Sequence, residues 1–123
     1  MTQHALTDFQ KRVYAALLQI PEGRITTYAL MADYLNCKSS QAIGQALKRN
    51  PYAPEVPCHR VIKTNLNIGG FHGEVEGEEI KRKIALLAKE GVLFENNKLV
   101  DKSLLYDFSG CTEQPFILPT KKQ

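Results

Sequence analysis

Apolar side chains recur at helical spacing in four stretches of the chain, and the polar residues between them punctuate those stretches. In the first, Phe9, Val13, Ala16, Leu17 and Ile20 share one face. Thr7 with Gln10 three residues on forms a capping box, so a helix is predicted to start near Asp8. Pro21-Glu22-Gly23 closes it in a turn. Thr26-Thr27 is a second start signal, before a short helix over residues 28–35 with Leu30, Met31, Tyr34 and Leu35 as its buried stripe. Asn36-Cys37-Lys38 is a turn, after which Ser39 or Ser40 caps a third helix reaching about Arg49, with Ile43, Ala46 and Leu47 inward. Three prolines between residues 50 and 57 exclude regular helix there. Val61-Ile62-Lys63 reads as a short strand and residues 64–67 as a turn, followed by the glycine-rich loop Ile68-Gly69-Gly70-Phe71-His72-Gly73. A fourth helix is expected over residues 78–90, with Ile80, Ile84, Leu87 and Ala88 as its stripe. Acids at its start, Lys89 near its end and Gly91 beyond it suit the helix dipole and a left-handed stop. Residues 94–100 read as a hairpin, and the chain beyond Asp107 as irregular and mobile.

The pattern predicts a mainly α domain with a minor β element: a small helical unit holding a helix-turn-helix and a short strand. At 123 residues it is one domain, 1–107, followed by a tail, 108–123. The 43% hydrophobic and 24% charged content is that of an ordinary globular chain. No apolar run reaches the roughly 20 residues that span a bilayer, and the N-terminus lacks a signal-peptide pattern. Three widely spaced cysteines argue against a disulfide framework and a cysteine zinc site, and for a reducing compartment, cytoplasm or nucleus. The net charge of +3 alone identifies no partner. Five basic residues between positions 36 and 63 (Lys38, Lys48, Arg49, Arg60, Lys63) against one acid, Glu55, make a patch that suits phosphates or plain solvation equally.

The candidate chemistry lies in Pro57-Cys58-His59-Arg60-Val61-Ile62. Pro57 fixes its own φ and biases Val56 toward extended geometry, which presents Cys58 on stiff backbone. A free thiol titrates near roughly 8.5, so a neighbouring base or cation is needed to raise the thiolate fraction. His59 and Arg60 are the local candidates. Taken alone, the same residues also describe a small buried thiol beside a core histidine.

Pro-Cys-His-Arg-Val, with Asn50-Pro51 shortly before it, resembles the active-site signature of the O6-alkylguanine-DNA alkyltransferases. Thr26-Thr27-Tyr28 with Ala32, and Ala42-Ile43-Gly44-Gln45-Ala46-Leu47, resemble that family's helix-turn-helix. Gly69-Gly70-Phe71 and Leu86-Leu87-Ala88-Lys89-Glu90-Gly91 resemble its later blocks in the same order. The resemblance runs from about Phe9 to Val92. It implies an alkyltransferase C-terminal-domain-like fold and irreversible transfer of an alkyl group from O6-alkylguanine to Cys58, without cofactor or metal. By the same resemblance His59 is the base, acting through a water, with Glu90 orienting it. Tyr28 is a donor to the guanine and Asn50 ties the turn to the cysteine loop. Gln41, Gly44 and Arg60 contact DNA, and Val61, Gly70, Phe71 and His72 line the base pocket. The implied partner is duplex DNA entered from the minor groove by a monomer, with the damaged nucleotide flipped out.

Three features depart from the family pattern. Gln41 stands where an arginine fills the gap left by the flipped base, so charge and a stacking guanidinium are lost. His72 replaces a small hydroxyl residue, and residues 73–79 are longer and more acidic than usual. A separate N-terminal domain, with the zinc site some relatives carry there, has no counterpart. The main alternative is an alkyltransferase-like sensor that binds O6-alkylguanine and recruits other repair factors. Cys58 argues against it, since such proteins usually replace the cysteine. A helix-turn-helix regulator is a third reading that leaves the Pro57-to-Ile62 match unexplained.

Overall fold

The computed structural model describes residues 6–53, 55–69 and 77–117. Helix α1, Asp8–Gln19, begins at the capping box: Thr7 accepts from the Gln10 N–H, and the Gln10 side chain accepts from the Thr7 N–H at 2.8 Å. Its inner face buries Val13, Tyr14, Ala16 and Leu17. Tyr14 was absent from the apolar stripe read off the sequence. It is nonetheless fully enclosed, because its hydroxyl donates to the Ala46 carbonyl at 2.8 Å and so carries no unpaired polar atom into the core.

Strand β1, Thr26–Thr27, runs directly into α2, Tyr28–Tyr34, and Thr27 doubles as the N-cap of that helix. Ser39 caps α3, Ser40–Lys48, which buries Ile43, Ala46 and Leu47. Ala46 belongs to the core, as its place beside Ile43 and Leu47 on the apolar face predicts. Strand β2, Val61–Ile62, pairs in parallel with β1, Thr26 opposite Val61 and Thr27 opposite Ile62. That long-range pairing was not read from the sequence, where Thr26-Thr27 appeared as a helix start alone. On the other side of this segment, Ile25 exchanges backbone hydrogen bonds with the Leu104–Tyr106 stretch.

Helix α4, Glu78–Lys89, buries Ile80, Lys83 and Leu87. One expectation fails here, since Ala88 is exposed, and Lys83, on which the sequence reading was silent, occupies an inner position. Gly91 has φ +88°, the left-handed stop expected of it. Strands β3, Phe94–Glu95, and β4, Lys98–Leu99, form the expected hairpin, turning through Asn96 and Asn97 at positive φ. The hairpin leans on residues 66–68, with Ile68 N–H donating to Asn97 O and Leu99 N–H to Leu66 O.

The described part of the tail, residues 108–117, has irregular backbone and is held in place. Phe108 is 3% exposed and stacks on Tyr34 with ring centroids 4.4 Å apart. Glu113 pairs with Arg12 at 2.9 Å, and Phe116 packs edge-on against Tyr14. No helix among the described residues is long and apolar enough to cross a membrane.

Tyr14→Phe should lower stability by about 1–3 kcal/mol, because the Ala46 carbonyl loses its partner inside the core. Urea unfolding followed by circular dichroism measures it, and an unchanged midpoint would count against the buried hydrogen bond.

Candidate active site

The prolines that forbid helix between α3 and β2 leave a turn that Asn50 organises from within. Asn50 is 6% exposed; its amide donates to Val56 O at 2.8 Å and its carbonyl oxygen accepts from the Tyr52 N–H at 2.9 Å. Pro57 then leads into a 3₁₀ turn, Cys58–Arg60, just before the strand. The tighter turn places consecutive side chains on different sides, so Cys58 and His59 face different neighbours. Immediately afterwards β2 fastens the turn to β1, and Thr64 Oγ1 accepts from the Ala29 N–H at 3.3 Å, near the start of α2. The cysteine turn is thus tied to the start of the helix-turn-helix by backbone pairing and one side-chain contact.

Cys58 is 4% exposed. Burial pushes its thiol up from the ordinary cysteine value, while a hydrogen bond with the Asn50 side chain and the charge of Lys83 pull it back. The phenol of Tyr28 is also raised, first by burial and then by proximity to Cys58. Gly44 of α3 faces the Tyr28 ring; a Cβ there would lie 4.0 Å from Tyr28 Cε1. Gln41 is exposed in the first turn of α3, and Val61 is wholly buried.

His59 is 2% exposed, and its Nε2 lies 3.0 Å from Glu90 Oε2. Burial lowers its pKa, against the opposing pull of Glu90. Nδ1, the other ring nitrogen, is buried and has no hydrogen-bond partner among the described residues. Arg60, expected at the DNA, points inward instead. Its Nε and one terminal nitrogen hold both Glu90 oxygens at 2.9 and 2.8 Å, and its other terminal nitrogen donates to Ile20 O at 2.8 Å. Burial alone would raise the Glu90 carboxyl, but the hydrogen bonds from Arg60 and His59 hold it below the usual range. Gly23, at φ +90°, lets the turn after α1 approach this corner, where a Cβ would sit 3.4 Å from Glu90 O.

Cys58, Asn50 and Tyr28 therefore gather on one side of the turn, and His59, Arg60 and Glu90 on the other. Gly70, Phe71 and His72 lie outside the described residues. Among the described residues no three His, Cys, Asp or Glu side chains converge as a metal site would require. Cys37 and Cys111 are free and partly exposed, away from this cluster in contact: Cys37 faces Ser39, and Cys111 faces Tyr106 at 3.1 Å.

The family model for the DNA-binding domain of 6-O-methylguanine DNA methyltransferase matches residues 8–92. The chain belongs to this family. A methylated-DNA–protein-cysteine methyltransferase of Pyrobaculum aerophilum is 46% identical over 77 residues, 63% of this chain and 48% of the relative. The crystal structure of O6-methylguanine-DNA methyltransferase from Pyrococcus kodakaraensis superposes with a TM-score of 0.62 at 41% identity, over 71% of this chain and 48% of that one. Atl1 of S. pombe, solved with damaged DNA containing O6-carboxymethylguanine, gives a TM-score of 0.71 at 27% identity, over 84% of this chain and 98% of Atl1. The chain spans about half the length of the curated relatives it matches. The fold is that of the family's DNA-binding domain, mostly helical, with two small sheets among the described residues.

Two features of the site escaped the sequence reading. Lys83 looked like one more charge on a charged helix, although its place between Ile80 and Leu87 on the apolar stripe was a usable signal. The Arg60–Ile20 contact crosses forty residues, and nothing in the local sequence announces it. Because Arg60 closes on Glu90 through two hydrogen bonds in a largely covered corner, Arg60→Gln should cost about 1.5–3 kcal/mol in urea unfolding. Arg60→Lys, with the charge but no planar fork, should recover less than half of that.

Proposed function

We propose that the chain repairs alkylated DNA directly, moving the alkyl group of an O6-alkylguanine onto Cys58 once per molecule. The observation that carries this reading is the His59 ring, fixed by Glu90 at Nε2 while its buried Nδ1 has no partner among the described residues. Buried polar atoms are almost always satisfied, and one water between Nδ1 and the Cys58 thiol would satisfy this one. Through that water His59 takes the thiol proton. The sulfur attacks the alkyl carbon; the S–C bond forms as the C–O6 bond breaks. The departing guanine receives a proton from Tyr28, whose raised pKa keeps it protonated beforehand. Glu90 supports the imidazolium that forms, as the third member of a nucleophile–base–acid arrangement.

A guanine O6 is out of reach inside a duplex, so the nucleotide is flipped to Cys58 at a cost of a few kcal/mol. Helix α3 would enter the minor groove with Gln41 leading, and Gly44 beside Tyr28 leaves room for the backbone. The solved relatives favour DNA as partner, since Atl1 was crystallised on damaged DNA. A reducing compartment suits three free thiols. Gly70, Phe71 and His72 would complete the base pocket.

A second reading, a sensor that binds the lesion without reacting, is favoured by the match to nearly the whole of Atl1 and by Gln41 in place of a charged side chain. Intact-protein mass spectrometry after mixing with duplex DNA bearing O6-methylguanine separates the two. The expected result is one added methyl, mapped to Cys58 and absent from Cys58→Ala. Lesion binding with no mass change would establish the sensor, and neither binding nor transfer would overturn both readings.

A further inference from the structure

The tail from Phe108 to Ile117 lies beyond residues 8–92, the span of the family match, yet it is fastened along its length. Phe108 meets Tyr34 and Tyr106, with ring centroids 4.4 and 5.0 Å away. Glu113 accepts two hydrogen bonds from the Arg12 guanidinium, both at 2.9 Å, and one of those Arg12 nitrogens also reaches Leu35 O. Phe116 completes the run against Tyr14 at 6.0 Å and Tyr52 at 5.9 Å. An exposed ion pair holds a segment only weakly, so the aromatic contacts at the two ends carry the fastening.

The Phe116 end of the tail touches the cysteine turn. Tyr52 belongs to that turn: its N–H donates to Asn50 Oδ1 at 2.9 Å, and its carbonyl accepts from the Val56 N–H at 3.0 Å. Val56 O in turn accepts from Asn50 Nδ2 and from the Cys58 N–H, both at 2.8 Å. Tyr52 and Cys58 are thus joined by an unbroken run of hydrogen bonds. The half-buried Tyr52 ring meets Tyr14 edge-on at 6.3 Å, and Phe116 lies against it at an interplanar angle of 31°. Tyr14, Tyr52 and Phe116 therefore form a triangle in which each ring touches the other two. Tyr14 is pinned by its bond to Ala46 O, and Phe116 is the member that the tail supplies.

We propose that the tail is a strap on the cysteine turn, with Phe116 a positioning residue for alkyl transfer that acts through Tyr52. The inference rests on Cys58 being the nucleophile. With Phe116 in place, Tyr52 holds Asn50 and Val56, and the thiol stays covered and aimed in one direction. Without it Tyr52 loses a neighbour on one side, and the turn opens locally more often. The thiol then meets small reagents more readily while being less well aligned on the alkyl carbon, and misalignment lowers the rate of the bonding step. Helix α3 keeps its Ser39 cap and the Tyr14 bond to Ala46, so the strap acts on the transfer step rather than on DNA affinity.

The test uses the full chain with Phe116→Ala and Phe116→Tyr in two assays. The first, without DNA, follows iodoacetamide labelling of the Cys58 peptide by mass spectrometry, with Cys37, outside the tail, as internal reference. Phe116→Ala should label Cys58 roughly fivefold faster with Cys37 unchanged, and Phe116→Tyr, which keeps the ring, should match the unsubstituted protein. The second measures single-turnover transfer from duplex DNA bearing O6-methylguanine. At saturating DNA Phe116→Ala should be slower by roughly fivefold, with the half-saturating concentration unchanged and the rate restored in Phe116→Tyr. Thermal melting shows whether Phe116→Ala is folded, and Phe116→Leu, with apolar volume but no ring, decides the matter if it is not. Unchanged Cys58 labelling, or equal acceleration at Cys37, would overturn the proposal, as would an unchanged transfer rate in a protein that transfers. Labelling needs no DNA, so an unsubstituted protein that transfers no methyl counts against the repair reading and not against the strap.

Discussion

Glu90 is the point on which the reactive corner depends. Its carboxylate stands just past the last turn of α4 and is held by both His59 and Arg60, while Arg60 continues to the carbonyl of Ile20 at the end of α1. Three segments far apart in sequence therefore meet at one carboxylate. A charge-assisted hydrogen bond fixes direction as well as distance, and the planar guanidinium, matched to both oxygens, leaves Glu90 no freedom to rotate. The His59 ring is oriented as a consequence, with one nitrogen on Glu90 and the other turned into the interior.

The opposite side of the turn is fixed differently, by backbone. Two parallel pairs between β1 and β2, the Asn50 bridge to Val56, and the Thr64 contact at the start of α2 lock Cys58 to the helix-turn-helix. Any displacement of these helices would therefore be felt at the cysteine. Thr26, Thr27, Asn50, His59 and Lys83 are the buried polar and charged residues of the described chain, and all belong to this junction or to the helix packed on it. A core of this size would gain from apolar side chains at such positions.

Much of the frame was legible because it is local. The Thr7–Gln10 capping box, the Ser39 cap, the left-handed Gly91 and the Asn96-Asn97 turn each encode their structure within four residues. What was missed is non-local. The pairing of Thr26-Thr27 with Val61-Ile62 needs a parallel partner thirty-five residues away, and two-residue strands carry no alternation to reveal them. Arg60 carried the same charge as its basic neighbours, and only the arrival of Glu90 and Ile20 turns it inward. Lys83 interrupts an apolar stripe at a position where polarity is normally an outward signal. Phe108 and Phe116 sit among prolines and polar residues, so their anchoring depends on Tyr34 and Tyr14 rather than on a pattern of their own.

The central claim, that Glu90 sets the basicity and orientation of His59, is tested most directly by the pH dependence of single-turnover methyl transfer in Glu90→Gln. Glu90 raises the His59 pKa against the lowering effect of burial. A base acts in its neutral form, so the rate should climb with pH through the His59 titration to a plateau. Without Glu90 that titration should move to lower pH and the plateau should fall by roughly ten- to a hundredfold. An unchanged midpoint and plateau in a folded Glu90→Gln protein would contradict the account.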